Sequence, residues 1–439
     1  MEEGPLKRRI LEKIPEFMAD IAPGILLRNH LKDHPLPAAF HPGGILSMGK
    51  AAGPLTEALA EIFPLSSSQS LSILPEGYPR PPRNFPFFEG AHPLPDQRSL
   101  EAFEKVQHFI NGIPPASPVV VALSGGSSSL IASPIPPVTL EEKTLLSRQL
   151  MEAGAPIETL NSLRLHLSRF KGGGLARMLF PRPHTTLVLS DIPGPGVSLV
   201  GSAPMTPIHR DGPRLLEELG LFLPLEKIPS SVQNILRARS PDPSPIDSRS
   251  DSPLRVIGSS TSLIRSMKTH LLEIPEISDL PLHLLTDELC GESREAGRIL
   301  ATLISWEAKA SPNDHTGGIW AASGETTVTL TGGSTGKGGR TLELALSLAL
   351  SLFPLPALVL GLASDGFDGN SGLAGALVPT SFFSSPRRKI AGQLALRHHD
   401  SGRFLEENGL EIRTGPSGTN VNDLLMVVVY PRFSQRTPS

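Results

Sequence analysis

The feature that most constrains this chain is a unit that recurs along it. A short continuous run of Val, Leu and Ile is followed by a break of Gly, Ser or Asp, and then by a helical pattern. GGILSMGKAAGPLTEALAEIF (43–63) has it, as do PVVVALSGGSSSLIA (118–132), TTLVLSDIPG (185–194), LRVIGSSTSLIRSMKTHLLE (254–273) and ALVLGLASDGFDG (357–369). Strands that are apolar without alternation are buried on both faces, as in parallel sheets. Alternation of such strands with helices predicts βαβ units. The expected fold class is therefore α/β, with mainly parallel or mixed sheets flanked by helices. In such sheets ligands bind beyond the carboxyl ends of strands, and each Gly/Ser/Asp break sits at such an end. GGIWAASGETTVTLTGG (317–333) departs from this unit and alternates Thr and Val, the habit of strands and hairpins.

At 439 residues the chain exceeds one ordinary core, and two domains are the natural division. ARSPDPSPIDSRSDSPL (238–254) is rich in Pro, Ser and Asp and has no apolar period. It reads as a linker and places the expected domains at 1–245 and 246–439. The formal net charge of −3 gives no electrostatic reason to expect nucleic acid or an anionic membrane as partner. LALSLALSLFPLPALVLGLA (344–363) approaches the about 20 apolar residues of a membrane span. Ser347, Ser351, Pro354 and Pro356 divide it instead into a buried helix, a Pro turn and a buried strand. The segment MEEGPLKRRILEKIPEFM lacks the apolar centre of a signal peptide. Cys290 is the one cysteine, which excludes an internal disulfide and a Cys-based zinc site and fits a reducing cytoplasm.

Several stretches carry the charges and glycines that chemistry needs. GGSTGKGGRTLELAL (332–346) looks like a phosphate loop. A Walker A loop needs Gly, four residues, then Gly-Lys-Ser/Thr. Here Thr331 stands where the first Gly belongs and Gly338 follows Lys337, so it is not one. What remains is a glycine-rich loop entering a helix N-terminus, where free N–H groups and the helix dipole favour an anion. Lys337, Gly338, Gly339 and Arg340 are the candidates to hold it; a surface turn with solvated cations is the alternative. SMGKAAG (47–53) puts Lys50 at a strand-to-helix turn, against the dipole's preference. A Lys there can neutralise a phosphate or a carboxylate as a point charge.

ALSGGSSSLIASP (122–134) follows Ser124 with Gly125 and Gly126, where the backbone can approach an anion. Ser127 and Ser128 can donate from hydroxyls and from first-turn N–H groups; ordinary N-capping is the alternative. Within Gly125-Gly126-Ser127-Ser128-Ser129 no Gly lies two residues after any Ser, so the G-x-S-x-G spacing of a nucleophile elbow is missing. Asp191 in LSDIPGPG (189–196) and Asp365 and Asp368 in LASDGFDGNSG (362–372) stand at strand ends. Carboxylates there can hold magnesium or take a proton from an attacking hydroxyl, though Asp is also common in turns. The twelfth position from Asp365 is Ala376, not the Glu of a calcium loop. In NSLRLHLSRFKGGGLAR (161–177), Arg164, His166 and Lys171 read mostly as a solvated cationic face, and His92 reads as structural. EIRTGPSGTNVNDLLMVVV (411–429) is a ligand loop or a simple turn.

Taken in order, SMGKAAG, GAHPLPD, LSGGSSSLIASP, NSLRLHLSRFKGGGLA, LSDIPG, SGETTVTLTGGSTGKGGRTLELAL, SDGFDGNSGLAGA and TGPSGTNVND resemble the glycerate 2-kinase family, with its MOFRL-type C-terminal domain. The resemblance runs from about residue 40 to residue 429. It implies a Rossmann-like N-terminal α/β domain, a MOFRL-like C-terminal α/β domain and an active site in the cleft between them. It implies ATP- and Mg²⁺-dependent phosphorylation of D-glycerate to 2-phosphoglycerate by a cytoplasmic monomer or homodimer. The family's essential Lys falls on Lys50 and its essential Arg on Arg340. Ser124, Gly125, Gly126, Ser127 and Ser128, with Lys337, Gly338 and Gly339, are then expected to hold nucleotide phosphates, or the first group the substrate carboxylate. Asp191 is expected as base or Mg²⁺ ligand and Asp365 as a second ligand, with Glu325 and Glu343 of lower rank.

The chain departs from the family pattern at several places. Pro195 and Gly196 replace acidic residues, and Ser202-Ala203-Pro204 replaces Ser-Gly-Pro. Thr341 and Leu342 replace Asn-Gln before Glu343, Phe367 replaces a hydroxyl residue, and Ser323 replaces a Gly. These losses leave two alternatives open: a kinase for another small hydroxyacid, or a non-catalytic relative that binds a nucleotide or anion. A hydroxypyruvate reductase, a label proteins of this type often carry, finds no support, because no G-x-G-x-x-G follows a strand.

Overall fold

The computed structural model describes residues 3–192, 194–238, 254–310, 317–330 and 336–431. Its twelve strands form two sheets. The first holds β1 (Gly44–Met48), β2 (Ser70–Pro75), β3 (Phe87–Gly90), β4 (Val119–Ser124), β5 (His184–Leu189) and β6 (Leu254–Gly258). The second holds β7 (Leu282–Leu289), β8 (Gly318–Gly324), β9 (Ala357–Ala363), β10 (Gly375–Pro379), β11 (Glu411–Ile412) and β12 (Asp423–Val429). The continuous apolar runs are these strands: every residue of β1, β4, β9 and β12 is buried. Two compact units divide the chain, Leu27–Ser190 with Pro195–Ile257, and Met1–Leu26 with Asp191–Gly194 and Gly258–Ser439.

The first sheet has the order β3-β2-β1-β4-β5-β6. β3, β2, β1, β4 and β5 run parallel, which is the doubly wound Rossmann arrangement. Helix Ala52–Ile62 packs on β1 and β2, and its Thr56 hydroxyl meets those of Ser47 and Ser72 at 2.8 Å each. That buried trio satisfies hydroxyls that would otherwise lose solvation in an apolar layer.

The second sheet has the order β11-β10-β9-β12-β8-β7 and is mixed. Only β7 and β8 pair in parallel among its described ladders; β12 runs antiparallel to both β8 and β9. Helix Arg340–Leu352 is apolar nearly all round and packs between helix Ser293–Ala310 and β9. A helix of that kind belongs in a core. Its Ser347 hydroxyl donates to the Arg294 carbonyl at 2.7 Å. The apolar run 344–363 is thus the end of this helix, a Pro turn and β9, as expected. Among the described residues no helix is long and apolar enough to cross a membrane.

Two features differ from the sequence reading. The Thr/Val alternation is not a hairpin. β8 takes the small-residue stretch Gly318–Gly324, while Thr327 only bridges Glu292 beyond the end of β7. Residues 331–335 lie outside the described residues, as does most of the expected linker, 239–253. The N-terminal helix Glu3–Asp20 folds with the C-terminal part of the chain. It packs on helix Ser260–Leu271, burying Leu6, Ile10, Ile14 and Phe17, and the Ser266 hydroxyl donates to the Phe17 carbonyl at 3.0 Å.

Candidate active site

In the parallel sheet the strand order reverses between β1 and β4. Ligands of doubly wound sheets bind at the carboxyl ends of strands at such a switch point. The loops that leave β1 and β4 there contain Lys50 and residues 125–128. They are tied to each other. Lys50 N–H donates to the Gly125 carbonyl at 2.9 Å, Ala51 N–H donates to Ser124 Oγ at 3.0 Å, and Ser124 Oγ donates to the Met48 carbonyl at 3.3 Å. Ser124 therefore positions the turn that carries Lys50. Gly49 must be glycine: its φ is +114°, and a Cβ would stand 2.4 Å from the Ser124 carbonyl oxygen. Lys50 Nζ lies 5.8 Å from the centre of the Tyr78 ring, within cation–π range.

Gly126, at φ +85°, lies between Lys50 and His92; a Cβ there would meet Lys50 Cγ at 3.2 Å and His92 Cε1 at 3.4 Å. Ser127 Oγ is buried with no hydrogen-bond partner among the described residues, the state of a polar group kept for something else. Ser128 Oγ accepts from Lys171 Nζ at 2.9 Å and bonds Ser202 Oγ at 2.7 Å. The solvated reading of residues 164–171 is overturned here. Lys171 and His166 are buried, because the chain turns back through Gly172 and Gly173 and folds under the Ser/Gly loop. Burial then pushes the Lys171 amine well below the usual lysine range, and the charges of Lys143 and Arg164 add to the effect.

In the mixed-sheet unit the glycine-rich loop has an unexpected occupant. The Asp368 carboxylate accepts from the backbone N–H of Thr341 at 3.2 Å and of Leu342 at 2.7 Å. The anion at the N-terminus of helix Arg340–Leu352 is thus supplied by the protein itself. A Cβ on Gly339 would stand 2.4 Å from Asp368 Oδ2. Other donors of the loop are engaged too. Lys337 N–H bonds Asp400 Oδ1 at 2.7 Å, Lys337 Nζ pairs with Glu406 at 2.8 Å, and Gly338 N–H bonds Asn370 Oδ1 at 2.9 Å. Lys337 and Gly338 hold the loop in shape, where phosphate binding was expected. Gly332 to Thr335, the start of that loop, lie outside the described residues.

Arg340 Nε donates to Asp423 Oδ2 at 2.6 Å, and Nη1 pairs with Glu325. Burial opposes the guanidinium charge, but the carboxylates of Asp423 and Glu325 outweigh it and hold the pKa above its ordinary value. Burial and the Asp423 charge push the Asp368 carboxyl up to about 7. Asp191 Oδ2 accepts from Asn420 Nδ2 at 3.0 Å, and the Asp365 carbonyl accepts from Ser417 N–H at 3.1 Å. Both expected metal ligands are thus tied to residues 417–420. Glu343 is buried against His399, its Oε1 2.8 Å from His399 Nδ1.

The donor chemistry around this loop fits Mg²⁺, which takes one or two carboxylates together with substrate oxygens and water. Among the described residues Thr419 Oγ1 and the Asn422 amide are buried with no hydrogen-bond partner, and Asn422 sits at φ +71°. Strain and unsatisfied polar atoms together mark functional positions. The described cluster whose ligand atoms lie within 4.8 Å of one another is Glu16, His270 and Glu273, elsewhere in the fold. Lys13 already bonds both of its carboxylates at 2.6 Å, which makes it a surface ion-pair network.

Asp423 and Asn422 were not singled out from sequence. β12 is antiparallel to β8 and β9, so its beginning shares the edge where those strands end. A search of carboxyl ends alone passes over it.

A Rossmann-order sheet with a lysine at its switch point, joined to a mixed sheet with a guarded arginine, defines a two-unit α/β protein of the MOFRL type. Residues 318–423 match the MOFRL family, and residues 10–237 match a family described as a domain of unknown function (DUF4147). The chain belongs to the glycerate 2-kinase family. It is similar to the D-glycerate 2-kinase of Thermotoga maritima, 30% identical over 394 residues, which cover 88% of this chain and 90% of that one. It is 30% identical over 429 residues to a putative hydroxypyruvate reductase of Agrobacterium vitis, covering 96% of this chain and 94% of that one. Its fold resembles the crystal structure of glycerate kinase from Thermotoga maritima with a TM-score of 0.78 at 28% identity, covering 97% and 99% of the two chains.

Proposed function

We propose that this protein transfers the γ-phosphoryl group of ATP, with Mg²⁺, to the 2-hydroxyl of D-glycerate, giving 2-phosphoglycerate and ADP. The observation that carries the reading is Lys50, fixed at the switch point of the parallel sheet by Gly125 and Ser124, within a stretch that matches the family's. Phosphoryl transfer is mainly positioning and charge neutralisation. Lys50 neutralises the transferring group from the turn after β1. Arg340 adds a planar cation whose direction Asp423 and Glu325 set. Asp191 takes the proton of the 2-hydroxyl or holds Mg²⁺, with Asp365 as the second ligand. Mg²⁺, when bound, neutralises and orients phosphate oxygens. The O–H bond of the hydroxyl and the bond from the γ-phosphorus to the bridging oxygen break, a new P–O bond forms, and ADP leaves. The exposed free thiol of Cys290 suits a cytoplasmic setting, and a monomer or homodimer is the assembly we assign.

The departures from the family sort themselves by burial. Thr341 and Leu342 are fully buried, so they change packing beneath Arg340, whereas Phe367 is 39% exposed beside Asp368. The exposed Phe367, in place of a hydroxyl residue, supports a second reading as a kinase for a different small hydroxyacid.

The test is purified protein with ATP, Mg²⁺ and D-glycerate, ADP release coupled to a readout and the product identified by NMR. Formation of 2-phosphoglycerate supports the first reading, and turnover with another hydroxyacid alone supports the second. Lys50→Ala and Arg340→Ala should each lower kcat by about 10²–10³-fold. Near wild-type turnover in either would remove that residue from the mechanism. NADH oxidation by hydroxypyruvate would replace the kinase with a reductase.

A further inference from the structure

A pocket of about 360 Å³ opens beside the Ser/Gly loop of the parallel-sheet unit. That size lies in the range of sites for ligands of roughly nucleotide size, about 300–1,000 Å³. Its lining carries four cations, Lys143, Arg148, Arg164 and Lys171, together with Ser128 and Gly126. Its apolar lining includes Leu94 and Met151, which are 67% and 50% exposed. Among the described residues no carboxylate lines it.

Among the described residues, the hydrogen-bond partners of Lys143, Lys171 and Arg164 are neutral groups. Lys143 Nζ donates to the Arg164 carbonyl at 3.2 Å, Lys171 Nζ to Ser128 Oγ at 2.9 Å, and Arg164 Nη1 to Asn161 Oδ1 at 3.1 Å. Lys143 and Lys171 are more than nine-tenths buried. Buried charge without an opposite partner is strongly unfavourable, and three such cations also repel one another. A fold keeps that arrangement where a ligand brings the anion. D-glycerate brings one carboxylate and little apolar surface. A nucleoside triphosphate brings several negative charges and a flat base.

We infer that this pocket is the nucleotide site. The polyphosphate lies along Lys143, Arg164 and Lys171 and ends at Gly126, which borders Lys50, while the base lies against Leu94 and Met151. This rests on the kinase reading above and assigns the nucleotide, rather than the acceptor, to this side of the loop.

The experiment uses the full chain and AMP-PNP with Mg²⁺, its affinity measured by calorimetry for wild type, Lys143→Met and Lys171→Met, alongside KM for ATP and for the acceptor. Each variant should bind AMP-PNP at least about tenfold more weakly, with a matching rise in KM for ATP and an unchanged KM for the acceptor. Unchanged AMP-PNP affinity, or a rise confined to the acceptor's KM, overturns the assignment and leaves the kinase reading standing. Wild-type protein that turns over no hydroxyacid but binds AMP-PNP through these lysines sinks the kinase and keeps the pocket. Wild-type protein that binds no nucleotide sinks the pocket. Should a lysine variant fail to fold by circular dichroism, Met151→Glu in the exposed apolar lining sets a charge against the nucleotide and should weaken AMP-PNP binding by a similar factor; wild-type affinity in that variant overturns the assignment.

Discussion

Lys143 and Asp368 titrate in opposite senses, one in each unit. Burial, with Arg164 and Arg210 close by, lowers the Lys143 amine to about 7 from the ordinary lysine value of 10.5; Lys171 is another cation of the same pocket lining. Between those values the unfolded chain binds more protons, so stability rises with pH from about 7 toward 10. Asp368 is raised to about 7 from 3.8, so its contribution is full below about pH 4 and is lost as pH rises through 7. Urea unfolding followed from pH 4 to 10 should show both arms. Lys143→Met should shrink the alkaline arm, with Lys171 supplying what remains, and should raise stability at pH 7. Asp368→Asn, which keeps an acceptor oxygen for the helix, should flatten the acid arm. A Lys143→Met curve that overlays wild type above pH 7 would mean the amine is not perturbed. Arg340→Lys keeps one charge but loses the fork that grips Asp423 and Glu325; its kcat should fall nearly as far as that of Arg340→Ala, and a kcat close to wild type would reduce Arg340 to a point charge.

At the scale of elements, the loop before helix Arg340–Leu352 is a lock between two segments. Gly339→Ala would drive a methyl group into the Asp368 carboxylate and lift it from the helix N-terminus. The expected loss is about 1–3 kcal/mol, read as a lower urea midpoint; an unchanged midpoint would show that the lock is soft. The elements themselves were largely legible. Uninterrupted apolar runs such as VVVALS and ALVLGLA are strands because only a fully buried strand tolerates them, and the glycines at 49 and 126 mark the turns of the switch point. Other features were not legible, each for a physical reason. Charge at Arg164 and Lys171 reads as solvent exposure until the fold shows what closes over it. Asp423 carries no local signal, since its place depends on β12 running against its neighbours. The Thr/Val alternation has strand propensity, but beyond its bonds to residues 289–293 at Glu325 and Thr327 it forms no extended ladder among the described residues, and propensity without a ladder makes no strand.

At the scale of the whole molecule, the mixed-sheet unit borrows the helix Glu3–Asp20, which precedes the parallel-sheet unit in sequence. Phe17→Ala should cost about 3–5 kcal/mol, and hydrogen exchange should show the loosening in Ser260–Leu271 before it reaches β1 or β4. Protection lost first in the parallel sheet would contradict that division. The borrowing also sets an order of events during synthesis. Phe17 leaves the ribosome long before Ser266, its partner 249 residues on. At about 5–20 residues per second the wait is roughly 12–50 s. Through it the face of Leu6, Ile10, Ile14 and Phe17 has no mate, while the strands of the parallel sheet emerge and can close. This helix is made before the parallel-sheet unit and docks after it, so chaperone occupancy on a nascent chain should be high at Glu3–Asp20.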